Sequence, residues 1–456
     1  HKVAVIKTDH KCGAALYQAV PRPRRYPLAK LIVRRYSSLF DFLILDEGHE
    51  YSNESSAQSQ AAQRLIGLKL PTVLLTGSVM NGYASSLFVP CWSLSTRFRD
   101  EFGRDGVTEY VERYGYQKRT ITYAGNKADV SYGKVSDRTE QKKSLAQAPG
   151  VMPVSLLRHV LPIAVTLQLE DLEAELPQKE EIVIAVDAPP DVLSRYKVAR
   201  DRIINAIKRD RFTNKAGKLF GQLSELPSYL DRATSDTGNR LDGSYVVQYP
   251  KDVGGEVLAS FAGLDPKTLL PKEARLCQTI RKELGEGRRV MVFPWHTELT
   301  PRLKRIIEAE CRARVVILDA EKVPSKKREK WIDTHVVKAG ADVLLVNPVA
   351  VQTGLNNLVY FSTVVWYENP GCNPQVRRQA QGRIYRIGQT QPVRVYTLYY
   401  ADTAQELMHE LLLYKVGISE AVDGLDPKGA LEAAGVGEVS DLSGQSVGAV
   451  LYKMLV

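Results

Sequence analysis

The chain has 456 residues, 44% of them hydrophobic and 25% charged, a balance that fits a globular protein large enough for two or three cores. No apolar run approaches the length of a membrane span, so a membrane role is not expected. The formal net charge of +10 suits a polyanionic partner, and five well-separated cysteines (Cys12, Cys91, Cys277, Cys311 and Cys372), with no C-x-x-C pair, argue against a zinc site or a disulfide framework.

The first apolar run, Val3 to Ile6, is followed by a basic turn-rich segment, Pro21 to Arg25. Phe42 to Leu45 then leads straight into Asp46, Glu47, Gly48 and His49. The pattern predicts a buried strand ending in two adjacent carboxylates, at the edge where open α/β sheets bind ligands. Asp46 can hold Mg²⁺ at nucleotide phosphates. Glu47 can orient and deprotonate an attacking water, and His49 can pass a hydrogen bond toward a second lobe. A helical stretch from Glu54 to Ile66 and a second strand, Thr72 to Leu75, complete a βαβ unit that ends in Thr76, Gly77 and Ser78.

Aromatic residues recur from Phe98 to Tyr116 in a helical patch that reads as core, and residues 124–147 read as a polar loop or insertion. A strand at Ile182–Val186 and a helix at Asp191–Arg211 follow. Residues 212–262 show many Gly, Ser, Thr and Asp residues and read as a region between lobes. From Pro271 helices and strands alternate regularly, with strands at Arg289–Phe293, Val315–Leu318, Ala341–Val346, Thr363–Trp366 and Val393–Leu398. This predicts a parallel sheet with helices on both faces. In the run Gln379 to Gln389, Arg383 and Arg386 are spaced to lie on one helical face, and arginine suits the spread charge of a transferring phosphoryl group.

That run resembles motif VI of the SWI/SNF-type ATPases of helicase superfamily two. Asp46-Glu47-Gly48-His49 resembles the family's Walker B motif II, Leu75 to Ser78 its motif III, and Val290 to Thr297 its motif IV. Thr353-Gly354-Leu355-Asn356 resembles motif V, and Trp366 to Pro374 the segment joining V to VI. Leu156 to Lys179 is similar to the stretch that crosses from lobe one toward lobe two. The order and spacing agree over residues 36–415. The resemblance implies an α/β fold of two RecA-like lobes with parallel sheets and helical insertions between them. Residues 1–95 would be the remainder of lobe one, 96–270 the helical insertion and inter-lobe region, 271–418 lobe two, and 419–456 a C-terminal tail.

The implied ligands are ATP, Mg²⁺ on Asp46, and double-stranded DNA held by its phosphate backbone. Asp46, Glu47, His49, Arg383 and Arg386 are the implied catalytic residues. Gln379, Gly382, Gly354 and Asn356 would line the nucleotide, and Thr76, Gly77, Ser78 and Gln389 would couple it to the nucleic acid. The implied function is an ATP-dependent duplex-DNA translocase or helicase-like ATPase, and a non-catalytic DNA-binding or scaffolding module is the alternative. An RNA helicase fits less well, because Arg386-Ile387-Gly388-Gln389 follows the SWI/SNF-type pattern. The expected location is the cytoplasm of a bacterium or phage host, or a eukaryotic nucleus.

This sequence departs from the family at motif III, where Ser78-Val79 stands in place of threonine-proline, and at motif V, where Gln352 and Asn357 intervene. No G-x-x-x-x-G-K-[ST] occurs, so the Walker A lysine and hydroxyl are missing from these residues. With His1 rather than methionine first, truncation is the expected reason, and degeneration of the motif the other.

Overall fold

The computed structural model describes residues 27–51, 56–77, 79–80, 83–123, 141–165, 167, 176–210, 215–249, 255–352, 355–369, 371, 373–422 and 455. The chain divides into two compact units, His1–Val79 with Ser86–Val107, and Met80–Ser85 with Thr108–Val456.

In the first unit, strand β1 (Leu43–Leu45) pairs in parallel with β2 (Thr72–Leu74), and helix α1 (Ala57–Ile66) is the crossover between them. Ser56 caps α1 by accepting a hydrogen bond from the Ser59 amide at 3.1 Å. Leu45, Ala62, Phe88 and Phe98 are buried, the last two in helices α2 (Ser85–Leu94) and α3 (Thr96–Glu101). Ile44 and Val73, partners in the β1–β2 register, are both exposed, as is Leu75, so of β1, expected to be a buried strand, only Leu45 is buried.

Most of helix α4 (Val107–Tyr114) lies in the second unit, and its Tyr110 and Tyr114 are buried as the core reading of the aromatic patch expected, whereas Tyr116 lies beyond the helix and is exposed. An antiparallel hairpin follows, β3 (Gly115–Tyr123) with β4 (Gln141–Val151). Part of the segment read as a loop is therefore strand, because Gln141 to Gln147 pair with Tyr123 to Gln117 across the hairpin. Next come strand β5 (Lys179–Val186), helices α5 (Pro190–Asp210) and α6 (Lys215–Asp231), and a second hairpin, β6 (Tyr245–Tyr249) with β7 (Glu256–Phe261).

Helix α7 (Pro271–Gly285) leads into the main sheet. Pro271 occupies its first turn, and the Glu273 carboxylate accepts from the Leu270 amide at 2.8 Å. The remaining elements are β8 (Val290–Phe293), α8 (Thr300–Cys311), β9 (Val315–Leu318), α9 (Ser325–Ile332), β10 (Val343–Val346), β11 (Thr363–Trp366), α10 (Pro374–Gly382), β12 (Val393–Tyr400) and α11 (Ala404–Val422). Six strands form one parallel sheet in the order β5-β12-β11-β8-β10-β9. Its three central strands β8, β10 and β11 are buried at every residue, as expected of strands covered on both faces. Side chains alternate between two cores. Met291, Phe293, Val364 and Trp366 join α9 and α10 on one face, and Val290, Val292 and Val365 join α7 and α8 on the other. From β8 the chain steps to one side for β9 and β10 and to the other for β11 and β12, so the carboxyl ends of β8 and β11 flank the switch point.

The α/β class of this unit is the one expected, but its limits differ from the sequence division at residue 271. Strand β5 pairs along all eight residues with β12 and completes the sheet from well upstream. The segment read as lying between lobes holds α6, whose Leu219, Leu223, Leu226 and Leu230 pack with α5, the second hairpin and Leu411 of α11 in a third core. Buried ion pairs fasten it: Lys272 on α7 donates to Asp231 at 3.0 Å and to the Gln405 side-chain oxygen at 3.0 Å, and Arg302 grips Glu273 in bidentate fashion at 2.6 and 2.9 Å. Among the described residues no helix is long and apolar enough to cross a membrane.

Candidate functional site

In the first unit the parallel pairing brings the end of β1 beside the end of β2. The Leu75 amide donates to the Leu45 carbonyl and the Gly48 amide to the Leu75 carbonyl, both at 2.8 Å. Asp46 and Glu47 therefore lie next to Thr76 and Gly77 at one carboxyl edge. A Cβ on Gly48 would sit 2.1 Å from a Leu74 side-chain carbon, so glycine here leaves room for the Leu74 side chain. Glu47 adopts the left-handed conformation with φ of 52°, uncommon for a residue with a side chain, and its amide donates to Asp46 Oδ1 at 2.9 Å. The turn Gly48–Tyr51 carries His49 and returns to α1, where Ser59 Oγ donates to the Tyr51 carbonyl at 2.8 Å. Burial raises the Tyr51 hydroxyl above its ordinary pKa, and the charges of Glu50, Asp46 and Glu47 add to the effect. Ser78 lies outside the described residues.

In the second unit Asn373 caps α10 by accepting from the Gln375 amide at 3.1 Å, and Pro374 fills the first turn. Gln379 and Gly382 lie on this helix, Gln379 half-buried and Gly382 exposed. Arg383, at its end, donates through Nε to the Gln352 carbonyl at 2.9 Å. Arg386 donates through Nη1 to Asn356 Oδ1 at 2.7 Å. The two arginines thus hold the segment on either side of residues 353 and 354; the predicted Gly354 is outside the described residues. Gln389 is buried, and its amide nitrogen reaches the Phe361 carbonyl at 2.8 Å. It fixes the path of the chain between Arg386 and β12. Arg383, Arg386, Asn356 and Gln389 are brought together in this unit; Asp46, Glu47, Thr76 and Gly77 are brought together in the first.

Sequence reading missed a further cluster at the switch point. Glu368, just beyond β11, accepts from the Trp295 and His296 amides at 2.8 Å each, and its other oxygen bonds His296 Nδ1 at 2.8 Å. A cavity of about 420 Å³ adjoins it, lined also by Asp231, Lys272, Asn369 and Gln405. The position of Trp295 and His296 directly after the apolar β8 run is the signal that could have found it. Burial alone would raise Glu368 and lower His296, but the bond between them reverses both, so Glu368 lies below and His296 above its ordinary range.

The sign of the pH effect follows. The His296 contribution to stability is complete below about pH 6.5, the unfolded imidazole value, and is lost as pH rises through the raised folded value. The Glu368 contribution is complete above about pH 4.3 and is lost as pH falls through the lowered folded value. Thermal midpoints of the chain and of His296→Ala should therefore differ most between those two limits and converge toward alkaline pH. A gap that stays constant from pH 5 to pH 9 would show that the pair carries no charge-dependent stability.

No protein-family model matches the chain. It is 23% identical over 409 residues to the ATP-dependent DNA helicase DDM1 of Arabidopsis thaliana, covering 87% of this chain and 47% of that protein. It is 24% identical over 391 residues to the human SWI/SNF-related matrix-associated actin-dependent regulator of chromatin subfamily A member 1, covering 84% of this chain and 32% of that protein. Along most of its length the chain is thus similar to SWI/SNF-type members of helicase superfamily two. It spans a third to a half of the length of these SWI/SNF-type relatives. A solved structure, described as the Sulfolobus solfataricus SWI2/SNF2 ATPase core in complex with dsDNA, overlaps 90% of this chain and 74% of its own at 17% identity and a TM-score of 0.39.

Among the described residues no group of three or more His, Cys, Asp or Glu side chains gathers to hold a metal. A magnesium ion that takes most of its oxygens from phosphates and water asks the protein for only one or two carboxylates. Asp46, exposed at the end of β1 and held by the Glu47 amide, fits that demand.

Proposed function

We propose that this chain forms the catalytic core of an ATP-driven translocase on double-stranded DNA. The observation that carries the reading is the ordered set of SWI/SNF-type motifs, matched by relatives along more than four-fifths of the chain. Magnesium, when bound, draws negative charge from the phosphates. Asp46 holds that ion, and Glu47 orients the attacking water and takes its proton. Arg383 and Arg386 stabilise charge on the transferring phosphoryl group. His49 passes a hydrogen bond from the catalytic acids toward the second lobe, Gln379, Gly382, Gly354 and Asn356 line the nucleotide, and Thr76, Gly77, Ser78 and Gln389 link it to the nucleic acid. Residues 1–456 hold no Walker A sequence. Phosphoryl transfer needs positioning and charge stabilisation together, so this chain alone should hydrolyse ATP slowly, and a Walker A segment placed ahead of it should restore DNA-stimulated turnover.

Duplex binding is the more direct test. The net charge of +10 and contacts to phosphates rather than bases predict affinity that depends steeply on salt and little on sequence. With six or more phosphates neutralised, affinity should fall about a thousandfold between roughly 50 and 200 mM salt. Fluorescence anisotropy on two duplexes of unrelated sequence measures both. Equal affinity at both salt concentrations, or binding to one duplex alone, would remove the nucleic-acid part of the reading.

A further inference from the structure

The cysteines that sequence spacing sets apart include two that the fold brings into contact. Cys277 lies in the middle of α7 and is fully buried; Cys311 closes α8 and is half-buried. They are 34 positions apart in sequence, yet Cys311 Sγ lies 3.5 Å from the Cys277 carbonyl oxygen. The two thiols also lie close enough for each to shift the other's titration. Both belong to the core on one face of the six-stranded sheet, where α7 and α8 pack side by side. Arg281, one turn along from Cys277, reaches across to the Glu310 carbonyl at 3.1 Å and so places its guanidinium beside Cys311.

We propose that Cys277 and Cys311 form a redox-active pair that closes to a disulfide on exposure to a peroxide, bracing α7 against α8. The asymmetry of the pair assigns the order of events. Cys311 is the accessible member, and the neighbouring Cys277 side chain, helped by Arg281, lowers its thiol pKa against the opposing effects of burial and Glu310. The Cys311 side chain and burial raise that of Cys277. Thiolate character and access together select the sulfur that reacts first. Cys311 attacks a peroxide oxygen; the O–O bond breaks, and a sulfenic acid forms with release of one water. The Cys277 sulfur then attacks the Cys311 sulfur; the S–O bond breaks, and the departing hydroxide leaves as a second water with the Cys277 proton. Two thiols lose two electrons and one hydrogen peroxide is reduced to two waters. Cys91 is the internal control, since burial pushes its thiol up to about 12 and keeps it protonated.

Trypsin provides the assay, because each cysteine falls in its own peptide, Leu276–Arg281 and Ile306–Arg312. The full chain, fully reduced and desalted, is treated with hydrogen peroxide, blocked with N-ethylmaleimide, digested without reductant and analysed by mass spectrometry. The expected product is these two peptides joined with the loss of two hydrogens, separated again by dithiothreitol. Cys277→Ser should abolish the joined peptide and leave Cys311 as a sulfenic acid that dimedone traps, whereas Cys311→Ser should leave Cys277 in the thiol form. In guanidinium chloride the yield of the joined peptide should collapse, because the fold supplies the proximity. Oxidised wild-type chain should also melt several degrees above the reduced chain. Recovery of both peptides as maleimide adducts after peroxide overturns the proposal, as does an equal yield from denatured chain. The wild-type mapping stands independently of whether either serine variant folds.

Discussion

In a version of the protein that supplies a Walker A segment ahead of residue 1, Glu47→Gln should abolish ATP turnover while nucleotide remains bound. The substitution keeps the side chain's shape and its place in the backbone. What it removes is the negative charge that accepts a proton from water, an effect worth about 10² to 10⁴ in rate for a positioned general base. Binding should survive because Asp46, on the neighbouring residue, keeps its carboxylate and its 2.9 Å bond from the amide of residue 47, which glutamine retains. The left-handed backbone at Glu47 makes the comparison sharper. Glutamine accepts the same φ at similar cost, so the variant changes turnover without disturbing the backbone that supports binding. Phosphate release with and without duplex, beside nucleotide binding by equilibrium dialysis, separates the two. Near wild-type turnover in Glu47→Gln would mean that another group activates the water.

The acidic pair was legible because it follows an uninterrupted apolar strand, and the α/β alternation from Pro271 onward was legible because the central strands are apolar at every position but Thr363 and bounded by turn residues. Helix α6 was not. Its apolar period, Leu219, Leu223, Leu226 and Leu230, is present in the sequence, but Gly221, Ser224, Pro227 and Ser228 interrupt it, and tertiary burial overrides their poor helix propensity. The membership of β5 in the sheet could not be read at all, since Lys179–Val186 looks like any half-buried strand and only its pairing with β12 identifies it. The Glu368–His296 pair was hidden for a similar reason. Its two halves are 72 positions apart, and they meet only because β8 and β11 are neighbours. Residues that act through the local chain could be found; those joined by sheet order could not.

Arg386→Ala should lower turnover about a thousandfold or more in the same longer protein, the effect of losing an arginine that neutralises charge in phosphoryl transfer. Its environment argues for a role beyond holding the fold. The bond from Arg386 Nη1 to Asn356 Oδ1 ends on an exposed side chain, and exposed polar contacts contribute little to stability. Arg383 is held more closely, with Nε on the Gln352 carbonyl at 2.9 Å, whereas Arg386 reaches a backbone carbonyl, that of Leu355, only at 3.5 Å. Removing Arg383 should therefore loosen the segment around residue 352 as well as slow turnover, lowering the thermal midpoint, whereas Arg386→Ala should leave that midpoint nearly unchanged. Arg386→Lys divides charge from geometry: lysine restores a positive charge but not the planar fork that can bridge Asn356 and a phosphate oxygen, so it should recover only a small part of the lost rate. Asn356→Ala should reduce turnover less than Arg386→Ala, since it removes the orienting partner and not the charge. Steady-state phosphate release and thermal midpoints for the four variants test the whole set. If Arg386→Ala stays within about tenfold of wild type, well short of the loss expected for an arginine finger, the charge on the phosphoryl group is met elsewhere, and Arg383 becomes the residue to examine.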